Sequence, residues 1–128
     1  MFSHVSSRFT ALLCSALFSF VTLSQVQAQS DTSSIAGTVR DSSGSVVPNA
    51  AVVLRNEATS TERRITTNES GNYVAPTLAP GFYTITVQAN GFKKYVSQNN
   101  KLDPSIPLGV DVALEVGAAT ETVQVEAN

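Results

Sequence analysis

Residues 71–94 read GNYVAPTLAPGFYTITVQANGFKK, and this stretch decides the fold. The segment from Phe82 to Gln88 alternates apolar and polar residues, and this period of two predicts a strand with one buried and one wet face. Its expected inward residues are Tyr83, Ile85 and Val87. The Pro80-Gly81 pair before the strand can reverse the chain, because proline fixes one turn dihedral and glycine accepts positive φ. Asn90-Gly91 follows the strand and is a strong hairpin signal.

The same alternation recurs on both sides of this stretch. It predicts seven strands, at 34–40, 50–55, 62–67, 72–75, 82–89, 92–98 and 108–116. Short strands separated by turn residues, with no helical period, predict an all-β chain folded as a β-sandwich. Arg63 and Arg64 are typical of an edge strand. We expect four further apolar residues to face the inward set of 82–89 across the core: Val52, Leu54, Val112 and Leu114.

Five motifs occur in order along these strands. They are I-x-G-x-V-x-D from Ile35, A-x-V-x-L-x-N from Ala50, T-T-N-x-x-G-x-Y from Thr66, L-x-P-G-x-Y-x-I-x-V from Leu78, and G-F at Gly91. Together they resemble the carboxypeptidase regulatory-like domains of the transthyretin-like class, over roughly Ser33 to Glu115. The resemblance implies a seven-stranded antiparallel Greek-key β-sandwich of the transthyretin (prealbumin) type, which mostly serves other domains.

The first 28 residues carry the pattern of a secretory signal peptide. Arg8 precedes an apolar run from Ala11 to Leu23, and Val26-Gln27-Ala28 places small residues at the cleavage site. The alternative is a membrane anchor, but the run is shorter than the roughly 20 residues that a spanning helix needs. We therefore predict a cleaved signal peptide (1–28), a flexible leader (29–33), the sandwich (34–116), and a hinge with an extra strand (117–128).

Cleavage after Ala28 removes the single cysteine and the single histidine of the chain. Ser–His and Cys–His mechanisms are then excluded, and the usual zinc ligands are missing. The acidic residues are spread singly over turns and exposed strand faces, so no carboxylate pair for hydrolysis is indicated. A net charge of −2 without a basic stripe argues against nucleic acid as a partner. We predict no enzyme, no catalytic or metal-binding residue, and no cofactor.

Four residues are candidates for contact with a ligand or partner. Phe82 and Tyr95 lie outside the predicted core positions and could form a sugar platform, with a packing role as the alternative. The segment 120–126 alternates again and places Val123 and Val125 on one face. We expect this last strand to be mobile, because only these two valines offer apolar anchorage. It could dock on its own domain, pair with a second copy, or add to the sheet of another protein.

The tail from Leu108 to Asn128 resembles the junction in bacterial TonB-dependent outer-membrane receptors that carry an N-terminal carboxypeptidase regulatory-like domain. There V-x-L-x-V-G-A-x-T-E-T-V-x-V leads into the plug domain, and here the same pattern starts at Val112. The resemblance implies an exported, non-catalytic module of the periplasm, the outer membrane or the exterior. No plug or barrel follows in this sequence, so a receptor fragment and a stand-alone module both remain open. The alternative function is a carbohydrate-binding module, since the sandwich class includes starch-binding domains.

Overall fold

The computed structural model describes residues 31–127, and the predicted signal peptide lies outside them. The described residues contain no helix, and therefore none that is long and apolar enough to cross a membrane. Their nine strands are β1 (Ser33–Asp41), β2 (Ala51–Asn56), β3 (Glu62–Thr66), β4 (Asn72–Leu78), β5 (Gly81–Gln88), β6 (Lys94–Leu102), β7 (Leu108–Gly109), β8 (Val112–Leu114) and β9 (Thr122–Glu126).

The strands form two sheets that share one core, which confirms the predicted all-β sandwich. The first sheet has the order β4-β1-β7, and β8 also pairs with β1. The second sheet has the order β3-β2-β5-β6-β9. Most neighbours are antiparallel, but β1–β7, β1–β8 and β6–β9 are parallel. The prediction of a purely antiparallel arrangement therefore needs this correction.

The predicted strand 108–116 is two short strands, β7 and β8, separated by Val110 and Asp111. At this break the Thr38 amide donates to Asp111 Oδ1 (2.9 Å) instead of a strand carbonyl. The Val110 carbonyl accepts a hydrogen bond from Tyr73 Oη (2.6 Å). Side chains thus replace part of the ladder, and the described residues hold nine strands where seven were expected.

The core contains the three inward residues predicted for 82–89 and the four residues expected to face them, whereas Val116, at the end of the predicted strand 108–116, is exposed. Ile85 lies at its centre and is fully buried. One detail differs: Val52 and Leu54 flank Val87 and Ile85 within the second sheet, because β2 pairs with β5. The residues that cover β5 from the first sheet include Ile35, Val39, Val112 and Leu114.

Side-chain hydrogen bonds fix the turns between the strands. Tyr83 Oη donates to the Ala79 carbonyl (2.7 Å) and so ties the end of the Pro80-Gly81 turn to β5. Thr67 Oγ1 donates to the Val47 carbonyl (2.7 Å) and accepts from the Ala50 amide (2.8 Å). Asp41 Oδ1 accepts from Ser43 Oγ and from the amides of Ser43 and Ser45, and these hydrogen bonds, chiefly that of the Ser43 side chain, lower the pKa of this carboxyl. The carboxylate and hydroxyl groups therefore serve as turn caps.

Candidate functional site

An open groove of about 660 Å³ lies along one side of the sandwich. Residues of β5, β6 and β9 form one wall, and the segment around β7 forms the other. At this side the second sheet ends in β9, and the first sheet ends in β7 and β8. The side chains that line it include those of Phe82, Tyr95, Lys101, Val110, Asp111 and Val125.

The groove brings together three of the four predicted contact residues. Phe82 is 49% exposed and Val125 is 41% exposed, whereas Tyr95 is half-buried. The fourth, Val123, is half-buried and lies opposite Tyr95 in the β6–β9 ladder. The role of these residues in binding stays a prediction.

The connection that leads into β9 is held at both of its ends. Gly117 N donates to the Gly91 carbonyl (3.1 Å), and Lys94 N donates to the Glu121 carbonyl (2.8 Å). Lys93 Nζ lies 3.4 Å from a Glu121 carboxylate oxygen and 3.5 Å from one of Glu115, and these contacts raise the pKa of Lys93, with the Glu121 hydrogen bond as the main cause. The segment that was predicted as a hinge therefore lies against the β5–β6 turn.

The polar atoms of the groove walls are mostly used within the protein. Asn100 is buried, and its Nδ2 donates to the carbonyls of Tyr83 and Ser97, both at 3.0 Å. Burial raises the pKa of the Tyr73 hydroxyl far above its usual value, with a further contribution from the nearby Asp111 carboxylate. Tyr73 is therefore a hydrogen-bond donor to Val110 at physiological pH.

Sequence reasoning missed Asn100 and Asp111 as groove residues. Asn99 has a positive φ of 60° and lies in β6, where the pairing with β5 shifts register between Tyr83 and Ile85. Asparagine tolerates this conformation better than most residues, so the Asn99-Asn100 pair was the one local signal of a bulge. Within residues 31–127 no group of three or more His, Cys, Asp or Glu side chains lies close enough to hold a metal ion.

The sheets, the shared core and the lateral groove define a β-sandwich module with a groove at its open side. Residues 34–115 match the carboxypeptidase regulatory-like domain, and the chain belongs to this family. The resemblance predicted from the five motifs is thus confirmed. No curated protein is significantly similar to the chain in sequence.

Solved structures of similar fold come from several kinds of protein. Catechol 1,2-dioxygenase from Acinetobacter radioresistens has a TM-score of 0.56 at 17% identity, over 77% of this chain and 58% of its own. A candidate carbohydrate-binding protein from Bacteroides uniformis ATCC 8492 has a TM-score of 0.55 at 16% identity, over 65% and 41%. The Bacillus anthracis TIE protein has a TM-score of 0.57 at 16% identity, over 66% and 16%. The chain spans less than two thirds of each, and at such identity the likeness shows the fold alone.

Proposed function

We propose that this chain is an exported, non-catalytic β-sandwich module that acts structurally or by binding other protein domains through its sheet edges. The observation that carries the proposal is the outer edge of β9, which pairs with no further strand within residues 31–127 and borders the groove at the open side of the sandwich. An edge strand offers a row of backbone donors and acceptors to an incoming strand. The family, a regulatory-like domain, fits a module of this kind.

The proposed setting is the N-terminal extension of a TonB-dependent outer-membrane receptor, or a remnant of one. The support is the V-x-L-x-V-G-A-x-T-E-T-V-x-V pattern that begins at Val112. In the structure this pattern covers β8, the connection and β9, and so ends at the free edge. The test is to read the gene downstream of Asn128. An in-frame plug and barrel would support the receptor setting, and a stop codon would leave the stand-alone module.

Export is expected to produce a mature chain that begins at Gln29. The apolar run from Ala11 to Leu23 and the Val26-Gln27-Ala28 site favour cleavage at that point. Intact-mass spectrometry of the protein from the periplasmic or extracellular fraction should show this N-terminus. Replacing Ala28 by a bulky residue should block processing. A cytoplasmic protein that keeps Met1 would contradict the export proposal.

The second candidate function is carbohydrate binding. It is favoured by the groove, where Phe82 and Tyr95 lie near amide and charged side chains, and by the fold that the chain shares with the Bacteroides uniformis protein. One of the two aromatic residues is half-buried, however, and a sugar platform needs exposed ring faces. We therefore rank it below binding through sheet edges.

We expect the wild-type chain to bind no sugar on a glycan array, because Phe82 alone offers a small stacking surface. Phe82→Ala and Val74→Ala form the matched pair of variants, since Val74 is also exposed but lies in β4, away from the groove. A polysaccharide that binds the wild type and the Val74→Ala variant but not Phe82→Ala would overturn this expectation. It would also raise carbohydrate binding to the leading function.

A further inference from the structure

The free edges of the two sheets differ in how they are protected. Natural sheets block their edges with charges, prolines, bulges or short strands. Here β3 carries Arg63 and Arg64, β4 carries Pro76, and β7 and β8 are two and three residues long. In contrast, β9 reads TVQVE, pairs with β6 in a regular register, and has its one charge at its end. Among the described edges, β9 is therefore the one that lacks these protecting features along its length and is open to pairing with a further strand.

The backbone groups that face outward from β9 follow from the parallel ladder. Lys94 N donates to the Glu121 carbonyl and Ala127 N donates to the Gln98 carbonyl. Since alternate residues of a strand point their N–H and C=O groups to the same side, Val123 and Val125 bond to β6. Thr122, Gln124 and Glu126 therefore point their backbone groups away from β6, and within residues 31–127 no strand pairs with them.

We propose that β9 pairs antiparallel with β9 of a second copy of this chain, about a two-fold axis at Gln124. In this register Gln124 pairs with its own counterpart, and Thr122 pairs with Glu126 on both sides of the axis. All three outward residues of each strand then find backbone partners. No two carboxylates lie opposite each other, which avoids the penalty of like charges in directly paired positions.

The side chains favour the same register. Val123 of one copy lies opposite Val125 of the other, on the face that borders the groove. Val125 is 41% exposed in the single chain, and the pairing would cover it. An isologous contact of this kind joins two five-stranded sheets into one and closes after two copies. A strand pair of five residues is small, so we expect a weak dimer that forms only at high concentration.

Sedimentation equilibrium of the purified chain over a wide concentration range tests the proposal. The wild type should show a monomer–dimer equilibrium. Gln124→Pro removes an N–H that points away from β6, so the hydrogen bonds between β9 and β6 and the fold should persist. The dissociation constant of the dimer should rise about tenfold or more, because the backbone hydrogen bond at the two-fold axis is lost. The matched control is Arg64→Pro. Its N–H also points away from the sheet, because Thr61 O and Thr67 N bond on the β2 side.

Amide exchange adds a reading at single residues. On dimer formation the amides of Gln124 and Glu126 should gain protection, while those of Val123 and Val125, already bonded to β6, should change little. A chain that is monomeric at all concentrations would overturn the proposal. So would a dimer that tolerates Gln124→Pro, since the copies would then associate without the outer edge of β9. The inference rests on the proposed use of sheet edges, but neither export nor the receptor setting enters the test, so their failure is distinguishable from its own.

Discussion

Replacing Ile85 by alanine is expected to lower the free energy of unfolding by about 2–5 kcal/mol, as large-to-small core changes do. Ile85 is fully buried at the centre of the second sheet, paired with Leu54 of β2 on one side and Ser97 of β6 on the other. Both sheets surround its side chain, so the space that the substitution opens cannot fill easily. Urea denaturation followed by circular dichroism measures the loss.

The matched control is Thr86→Ala. Thr86 directly follows Ile85, and its side chain points to the opposite face of the strand. Thr86 is half-exposed and points to the outer face of β5, so its loss should cost about 0.5 kcal/mol or less. A similar loss for both variants would show that the inward face of β5 had been assigned wrongly.

The faces of the central strands could be predicted because the side-chain period of a strand is a local property. The alternation from Phe82 to Gln88 placed Tyr83, Ile85 and Val87 inward, and all three are buried. In β6 the same reasoning failed after Ser97. A bulge shifts the phase there, so that Ser97 and Asn100 both point inward, and the polar run QNNK carries no alternation that would reveal it.

The break between β7 and β8 could not be predicted from the segment itself. Its residues alternate without interruption, and the interruption comes from Tyr73 and Thr38, which are distant in the chain. The parallel pairings were missed for a related reason. The pairing of strands depends on how the chain crosses between the sheets. The local alternation of β9 does not determine that β6 is its neighbour.

The candidate site was predictable to the same extent. Phe82 and Val125 were identified because an apolar side chain on a wet face or on an extra strand is visible in the sequence. The groove that joins them exists only when β9 lies on β6. Its polar residues, Asn100 and Asp111, bond to backbone atoms far away in the chain, and no short motif marks such contacts.

Replacing Gly37 by alanine is expected to cost about 3 kcal/mol or more, at the upper end of the usual cost of overpacking. A Cβ atom at Gly37 would lie 1.8 Å from the Val110 carbonyl oxygen and 3.0 Å from Tyr73 Oη. The nearer atom belongs to the backbone and cannot rotate away. Val110 would have to move outward. This would break the hydrogen bond that its N–H donates to the Ala36 carbonyl (2.8 Å) and the hydrogen bond that its carbonyl accepts from Tyr73 Oη.

The matched control for this variant is Gly109→Ala, in the strand that lies beside β1. No atom lies within 4 Å of a Cβ built on Gly109, so alanine there should change stability by about 0.5 kcal/mol at most. In the Gly37→Ala variant the loss should be local as well as global, and the amides of β8 should exchange faster than those of β5. Equal stability of the two variants would show that the Val110 carbonyl is not held against β1. It would also remove the reason for a glycine inside a strand, where this residue otherwise only weakens the sheet.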